Sequence, residues 1–251
     1  MKRFGLVGFP LEHSFSLKYF QEKFTREFIN DAVYELFPLE NISLISKLLK
    51  STPDLVGLNV TIPYKEKIFS FLQAIDNDAK EIGAVNCVKI FKDKQNRPLL
   101  KGYNTDAMGF KDSIIPLLNT FHQNALILGN GGGAKAVSFI LKKLNIKYLV
   151  VTRTPTASNH ISYSEITDNI IKQHLLIINT TPLGMFPNIY TFPDIPYQYL
   201  TDRHLLYDLI YNPFETLFLT KGRLNGTQIK NGLSMLHLQA EKSWDIWCNA
   251  L

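Results

Sequence analysis

Short apolar runs alternate with amphipathic stretches along the first part of the chain. This pattern predicts strands at residues 4–8, 32–38 and 55–60, with helices at 17–28 and 39–49 between them. A strand–helix–strand order with helix-length crossovers is typical of a largely parallel sheet. We therefore expect the N-terminal part to form an α/β domain with a mostly parallel sheet.

The pattern then changes to helices followed by a hairpin. Residues 65–72 and 74–82 are predicted helices, the first introduced by Pro63 and the second ending near Gly83. Two apolar runs at 85–91 and 99–103 flank a polar turn and predict a β-hairpin. A helix at 106–118 should follow, with Thr105 as its N-cap.

A second series of apolar strands starts at residue 125. A domain boundary is expected between Tyr103 and Gln123, and the second domain should be a Rossmann-like α/β fold. We assign residues 1–104 to a first domain, 105–231 to a second, and 232–251 to a C-terminal helix that packs back on the first. Later elements are predicted at 136–144 (helix), 148–151, 175–178 and 205–211 (strands), 215–221 (helix), 227–230 (strand) and 235–250 (helix, N-cap Ser234).

The composition is that of an ordinary globular protein, with 45% apolar and 20% charged residues in 251. A net charge of +5 raises the question of nucleic acid, but the lysines are scattered and form no basic block, so no nucleic-acid partner is expected. Cys87 and Cys248 are far apart in sequence, which favours a reduced, cytoplasmic protein, with one long-range disulfide as the alternative. No run is apolar enough to span a membrane. The histidines show no metal spacing; we expect surface or edge positions for His122, His160, His174 and His204.

Candidate chemistry first appears at the end of the third predicted strand. Asn59 lies at the end of this strand, and Thr61 and Lys65 follow it around a turn, the position where open α/β sheets commonly bind ligands. The alternative is a capped helix with an exposed lysine. The pattern of this stretch taken alone leaves both interpretations open.

Two serines, Ser14 and Ser16, stand just before the first predicted helix. Ser16 is a plausible N-cap for that helix. Hydroxyls beside a helix N-terminus also suit an anion such as a carboxylate, because the helix dipole favours negative charge there. Capping and anion binding are equally compatible with the pattern.

A glycine-rich turn follows the strand at 125–128. It has the form G-x-G-x-x-A before an apolar helix, the arrangement in which glycines let a pyrophosphate approach a helix N-terminus. The next strand ends in Thr152, Arg153 and Thr154, where NAD-binding chains offer an acidic residue. Arginine favours the 2′-phosphate of NADP. The turn comprises Gly129, Asn130, Gly131, Gly132, Gly133 and Ala134.

Taken together and in order, several segments of the chain resemble the shikimate dehydrogenase family over nearly the whole length. The glycine turn is one of them. The others are residues 13–16, 59–65, 83–86, 102–109, 179–185, 208–213 and 232–239.

The resemblance implies reversible, NADPH-dependent reduction of 3-dehydroshikimate to shikimate, in the shikimate pathway of aromatic amino acid biosynthesis. It implies Lys65 as the acid/base group, with Asp106 holding Lys65 in place. The implied substrate contacts are Ser14 and Ser16 to the carboxylate, and Asn59, Thr61, Asn86, Tyr211 and Gln239. The implied cofactor contacts are the glycine turn, Thr152, Arg153, Thr154, Thr180, Leu209 and Gly232.

The chain departs from the family pattern at four positions. Thr152 replaces an asparagine, and Ala157 occupies the slot of a second arginine, so discrimination against NAD should be weaker. Leu17 stands where proline is common, and Gly133 where alanine is usual. We expect neither of the last two to change the chemistry.

Three other functions remain to be weighed. A quinate/shikimate dehydrogenase would also accept quinate, with relaxed cofactor use. A non-catalytic NADP-binding sensor or regulator belongs to a different class, but Lys65 and Asp106 are both retained beside a full set of pocket groups. A folate-linked dehydrogenase has the same two-domain plan, but its function would not call for this set of polar serines and asparagines. The protein is expected to act on a small-molecule substrate and to be a monomer or homodimer.

Overall fold

The computed structural model describes residues 1–11 and 15–249. The chain divides into two compact units, one formed by Met1–Thr105 with Gln239–Leu251 and the other by Asp106–Leu238. Each unit contains a six-stranded sheet. Helices alternate with these strands along the chain, which confirms the predicted α/β class.

The sheet of the first unit combines parallel and antiparallel pairs. Its first three strands are parallel neighbours, as the sequence pattern predicts. The predicted hairpin is also present and pairs antiparallel with the third strand. The strands are β1 (Lys2–Gly8), β2 (Ala32–Pro38), β3 (Leu55–Val60), β4 (Ala74–Ile75), β5 (Cys87–Lys92) and β6 (Pro98–Tyr103), in the order β2-β1-β3-β5-β6-β4.

The first helix of the first unit has the predicted length but begins two residues earlier, and the other two helices are shorter than the sequence pattern predicts. The helices are α1 (Phe15–Arg26), α2 (Ile45–Ser51) and α3 (Asn77–Ile82). The helix predicted at 74–82 begins late, because β4 pairs with β6 and the Asp76 side chain then caps α3 by accepting from Asp78 N. Gly83 ends α3 at φ 73°, as predicted. The predicted helix after Pro63 is instead a turn followed by a short 3-10 helix, Lys67–Phe71.

The sheet of the second unit is entirely parallel. Its order places the first strand of the unit at the centre, with the later strands distributed on both sides. Ligands in such sheets bind beyond the carboxyl ends of the strands, where the order reverses. The strands are β7 (Asn124–Leu128), β8 (Lys147–Val151), β9 (His160–Ile161), β10 (Leu176–Asn179), β11 (Leu205–Asp208) and β12 (Gln228–Lys230), in the order β12-β11-β10-β7-β8-β9.

The remaining helices are α4 (Thr105–Ile114), α5 (Gly132–Lys143), α6 (Asp168–Gln173), α7 (Leu217–Leu224) and α8 (Leu233–Cys248). Three predicted N-caps are wrong, because Ser16, Thr105 and Ser234 all lie inside their helices. Thr105 makes its hydrogen bonds to other elements instead of closing α4. None of the described helices has the length and hydrophobicity needed to cross a membrane.

The C-terminal half of α8 packs into an aromatic core of the first unit. The Trp247 ring stacks on Phe4, and its Nε1 donates to Val88 O at 3.0 Å. Gly57 of β3 makes room for this ring, because a Cβ there would lie 2.4 Å from it. Any larger residue at Gly57 would push α8 away from the sheet, and the groups that α8 contributes would move with it.

Candidate active site

The turn after β3 is held by backbone hydrogen bonds at both ends. Thr61 N donates to Val7 O at 2.9 Å, and Lys65 O accepts from Val85 N at 2.8 Å. Gly8 lies against the Thr61 side chain, whose Cγ2 would be 2.4 Å from an added Cβ. Thr61 and Lys65 are therefore fixed at the carboxyl end of β3, with half-buried side chains.

Asn59, at the end of the same strand, has its side-chain amide bonded within the protein. Its Oδ1 accepts from Tyr34 OH at 2.9 Å, and its Nδ2 donates to Ser243 Oγ at 2.9 Å and Asn86 O at 3.3 Å. The residue is only 5% exposed. This geometry gives Asn59 a structural role, and its role as a substrate contact remains a prediction.

The Tyr34 hydroxyl links Asn59 to the start of α1. Burial raises the pKa of Tyr34, and a hydrogen bond with the Ser16 side chain opposes part of that shift. Ser16 therefore lies beside the buried network that contains Asn59. Ser14 lies outside the described residues.

A second part of this network joins Asn86, just before β5, to α4 and α8. The Asn86 Oδ1 accepts from Thr105 N at 2.6 Å, and Thr105 Oγ1 lies 3.1 Å from Ser243 Oγ. Gln239 is 7% exposed, and its Oε1 lies 3.5 Å from Thr105 Oγ1. The polar network therefore consists of Tyr34, Asn59, Asn86, Thr105, Gln239 and Ser243, all within the first unit.

Asp106, Tyr211, Leu209 and Gly232 belong to the second unit. Asp106 directly follows Thr105 in the first turn of α4 and is half-buried. Burial raises the pKa of Tyr211. Gly232 lies so close to Leu209 that an added Cβ would meet the Leu209 carbonyl oxygen at 2.1 Å, which requires glycine there.

The glycine turn of the second unit depends on its lack of side chains. Gly129 has φ 106°, and an added Cβ would lie 2.9 Å from Thr180 Oγ1. Gly131 is the N-cap of α5, and open space surrounds both Gly131 and Gly132 where a Cβ would be. The turn thus leaves room beside the free amides at the start of a 12-residue helix.

A pocket of about 640 Å³ opens beside this turn. Seven of the predicted cofactor residues line it, while Gly132, Gly133, Ala134, Leu209 and Gly232 do not. Among the described residues that line it, one carries a charged side chain, the exposed Arg153, and none is a carboxylate. The volume, the bare glycine backbone and the lone cation fit a dinucleotide that carries an additional phosphate. The lining residues are Gly129, Asn130, Gly131, Thr152, Arg153, Thr154 and Thr180, with Val151, Tyr163, Thr181, Pro182 and Leu183 in addition.

The chain is similar to proteins of known family. The family model described as shikimate dehydrogenase substrate binding domain matches residues 6–88. A protein named shikimate dehydrogenase (NADP(+)) from Methanococcus vannielii is 36% identical, across 97% of this chain and 90% of that relative. The chain belongs to the shikimate dehydrogenase family.

Solved structures of shikimate dehydrogenases have the same fold. Shikimate dehydrogenase 1 from Peptoclostridium difficile is 38% identical with a TM-score of 0.79, covering 98% of this chain and 91% of that one. Shikimate 5-dehydrogenase from Thermus thermophilus, in complex with NADP(H) and shikimate, is 27% identical with a TM-score of 0.84. That comparison covers 100% of this chain and 95% of the Thermus chain. The predicted family resemblance is confirmed.

Several groups of this shikimate dehydrogenase family member were missed by sequence reasoning. Tyr34 and Ser243 complete the polar network, but nothing local marks them, since Ser243 lies 184 residues from Asn59. Tyr163 lines the pocket after β9, a strand of two residues that is too short to show a pattern. Asp208 ends an apolar strand and is fully buried, a combination that does mark an unusual carboxylate.

Two histidines of the second unit are also placed differently from the prediction. His122 and His204 are 3% and 1% exposed, although surface or edge positions were expected. Backbone contacts explain the burial, because Asn119 N donates to His122 Nδ1 and Thr201 N to His204 Nδ1, both at 3.0 Å. Across residues 1–11 and 15–249, no cluster of His, Cys, Asp and Glu suits a metal ion.

Proposed function

We propose that the protein is a shikimate dehydrogenase, which catalyses the reversible NADPH-dependent reduction of 3-dehydroshikimate to shikimate. The observation that carries this proposal is the near full-length similarity to proteins named shikimate dehydrogenase (NADP(+)). The pocket beside the glycine turn supports it independently, because its shape and charge suit a phosphorylated dinucleotide. The reaction belongs to the shikimate pathway of aromatic amino acid biosynthesis.

NADP is the proposed cofactor, and it supplies a hydride when bound as NADPH. Gly129 and Gly131 leave space for the pyrophosphate, close to the N-terminal amides of α5. Arg153 and Thr154 are the proposed partners of the 2′-phosphate, since a guanidinium binds phosphate through paired hydrogen bonds. Both side chains are exposed and line the pocket.

Lys65 is the proposed acid/base group. Reduction of a ketone leaves an alkoxide that must gain a proton, and an ammonium group can both stabilise that charge and donate the proton. In the reverse direction the amine accepts the hydroxyl proton. The turn that carries Lys65 is fixed by backbone hydrogen bonds at Thr61 and Lys65. The Lys65 side chain therefore extends from a fixed backbone position. Asp106 is proposed as the second catalytic group.

The remaining polar residues are proposed as substrate contacts. Shikimate carries a carboxylate and ring hydroxyls, and these need hydrogen-bond donors and acceptors in fixed positions. The polar network of the first unit supplies such positions, because its amides and hydroxyls are held by one another. The proposed contacts are Ser14 and Ser16 for the carboxylate, and Asn59, Thr61, Asn86, Tyr211 and Gln239 for the ring hydroxyls and pocket walls.

The proposed setting is the cytoplasm, with the protein acting as a monomer or homodimer. No disulfide joins the buried Cys87 and the exposed Cys248, which suits a reducing compartment. Size-exclusion chromatography with light scattering would distinguish a monomer from a homodimer.

The proposed function can be tested with purified protein by following nicotinamide absorbance. Shikimate and quinate are each combined with NADP⁺ and with NAD⁺, giving a set of four reactions. We expect shikimate with NADP⁺ to be the fastest pair. Preference for quinate with NAD⁺ would instead favour a quinate dehydrogenase, and NADP⁺ binding without turnover of either substrate would favour a sensor.

A further inference from the structure

Asp208, the last residue of β11, is a buried carboxylate whose hydrogen-bond donors within residues 1–11 and 15–249 are all uncharged. Its Oδ1 accepts from Asn179 Nδ2 and from Ile210 N, both at 3.0 Å. Its Oδ2 accepts from Thr216 Oγ1 at 2.5 Å. The side chain is 0% exposed, and burial raises the pKa of Asp208 to about 7. A buried charge of this kind is expensive to maintain, so its position calls for an explanation.

The first arm of this carboxylate leads to Asn179, the last residue of β10. Asn179 Nδ2 donates both to Asp208 and to Leu183 O, at 3.0 and 3.3 Å. Its Oδ1 accepts from Thr181 N at 3.0 Å and from Thr181 Oγ1 at 2.6 Å. The Asn179 side chain therefore ties together both ends of the loop at 180–183.

That loop forms one wall of the nucleotide pocket. Residues 180–183 all line the pocket, and Thr180 Oγ1 donates to Leu128 O at 2.7 Å. Thr180 and Thr181 also lie against the glycine turn, each with a side-chain atom 2.9 Å from the position of a Gly129 Cβ. A shift of the loop would change the shape of the space beside the glycine turn.

The second arm of the carboxylate leads to Thr216, whose side chain lies against Gly184, the residue after the loop. Thr216 is the N-cap of α7, and its Oγ1 accepts from Leu219 N at 3.4 Å. Thr216 does not line the pocket. Asp208 therefore has two separable partners, one directed to the loop and one to a helix terminus.

We propose that Asp208 is a positioning residue for the cofactor, which fixes the 180–183 loop against the glycine turn through the side chain of Asn179. The inference rests on the proposed role of this pocket in NADP binding. Loss of the Asp208–Asn179 contact weakens NADP binding, whereas loss of the Asp208–Thr216 contact weakens only the fold.

The test is isothermal titration calorimetry of the full-length protein with NADP⁺ alone, at about pH 8, where Asp208 is ionised. For Asp208→Ala and Asn179→Ala we expect Kd to rise roughly tenfold, the loss of about one charge-assisted hydrogen bond. The matched control is Thr216→Val, which keeps the shape of the side chain. It should lower the melting temperature as Asp208→Ala does, yet leave Kd within about twofold of the wild type.

An Asp208→Asn variant covers the case in which Asp208→Ala does not fold. It keeps the size of the side chain and one accepting oxygen, so Kd should rise by about threefold, in the same direction as for Asn179→Ala. The proposal is overturned if Kd is unchanged in the folded Asp208 and Asn179 variants, or if Thr216→Val raises Kd as much as they do.

Calorimetry also separates this inference from the proposed function. Wild-type protein that binds NADP⁺ but does not oxidise shikimate would contradict the proposed function while the comparison of variants still decides the role of Asp208. Wild-type protein that does not bind NADP⁺ would overturn both. In an active enzyme, the KM for NADPH should rise in Asp208→Asn while the KM for 3-dehydroshikimate stays the same.

Discussion

The two units prepare their binding surfaces in different ways. In the first unit, uncharged side chains such as Asn59, Asn86 and Ser243 are buried and bonded to one another. In the second unit, the pocket depends on the absence of side chains at Gly129 and Gly131, with the charge of Arg153 at its exposed edge. A small polyhydroxylated ring needs fixed donors and acceptors, whereas a phosphate chain needs open backbone and positive charge.

The largest effect on activity is expected for Lys65, in the first unit. Lys65→Ala should lower kcat by roughly 10²–10⁴-fold with a smaller change in KM, because the proposed proton transfer occurs in the transition state. The matched control is Lys67→Ala, two residues further along the same segment and exposed. Steady-state kinetics with shikimate and NADP⁺ would measure both. Equal activity of the two variants would remove Lys65 from the mechanism.

The cofactor side should respond to loss of a single charge. Arg153→Ala should raise the KM for NADP⁺ by about 10- to 100-fold and leave the KM for NAD⁺ nearly unchanged, since only NADP carries the 2′-phosphate. Arg203→Ala removes an exposed arginine that does not line the pocket and serves as the control. A parallel rise for both cofactors would place Arg153 elsewhere than at the 2′-phosphate.

Removing one hydrogen bond from the polar network should lower the stability of the first unit. Ser243→Ala removes the acceptor of Asn59 Nδ2 and should lower the free energy of unfolding by about 1–3 kcal/mol. Denaturation can be followed by tryptophan fluorescence, because both tryptophans, Trp244 and Trp247, belong to the first unit. The control Ser70→Ala, at an exposed serine, should change the free energy of unfolding by less than about 0.5 kcal/mol. A Ser243 variant as stable as the Ser70 control would mean that the network contributes little.

The second unit should lose stability in mild acid. Burial lowers the pKa of His122 and His204, so these two side chains bind protons more readily in the unfolded chain than in the folded chain. The contribution of these two histidines is therefore complete above the unfolded pKa of about 6.5 and is lost as the pH falls below it, by up to about 1.4 kcal/mol per pH unit for each histidine. His174, whose pKa burial also lowers, acts in the same direction, whereas Asp208, whose pKa burial raises to about 7, offsets part of the loss. Hydrogen exchange of peptides from 124–208 would measure this slope. A double His122→Asn and His204→Asn variant should flatten the slope, and an unchanged slope would assign it to other groups.

The smallest expected effect concerns a tyrosine in the pocket wall. Among the described residues, the buried Tyr163 hydroxyl has no hydrogen-bond partner. Tyr163→Phe should therefore leave the second unit as stable or raise its free energy of unfolding by up to about 1 kcal/mol. In the control Tyr197→Phe, a hydroxyl that donates to Pro193 O at 2.8 Å is lost, so stability should fall. Urea denaturation, monitored by hydrogen exchange, would compare the stability of the two variants. A clear loss of stability in Tyr163→Phe would contradict the absence of a hydrogen-bond partner for the Tyr163 hydroxyl.

Strong local patterns allowed much of the second unit to be predicted. The glycine turn, the strand before it and the helix after it depend on residues that are adjacent in sequence, and the structure contains all three. By contrast, β9 has two residues and no pattern of its own, so its contribution to the pocket wall could not be foreseen.

The polar network of the first unit was less accessible to sequence reasoning. Asn59 and Asn86 could be selected from the family resemblance, but their partners Tyr34 and Ser243 come from distant elements. Thr105 was misassigned as an N-cap for the same reason. Thr105 suits a local N-cap by type, and only the packing of α8 and of the segment before β5 directs it to Ser243 and Asn86 instead.

Isotope transfer from NADPH deuterated at both C4 positions is the most direct test of the proposed reaction. The purified protein is mixed with this cofactor and 3-dehydroshikimate, and the product is analysed by mass spectrometry. We predict shikimate that carries a single carbon-bound deuterium, because hydride passes from cofactor to substrate carbon. Shikimate without deuterium, or recovery of unreacted 3-dehydroshikimate, would contradict the assignment of this chain as an NADP-dependent shikimate dehydrogenase.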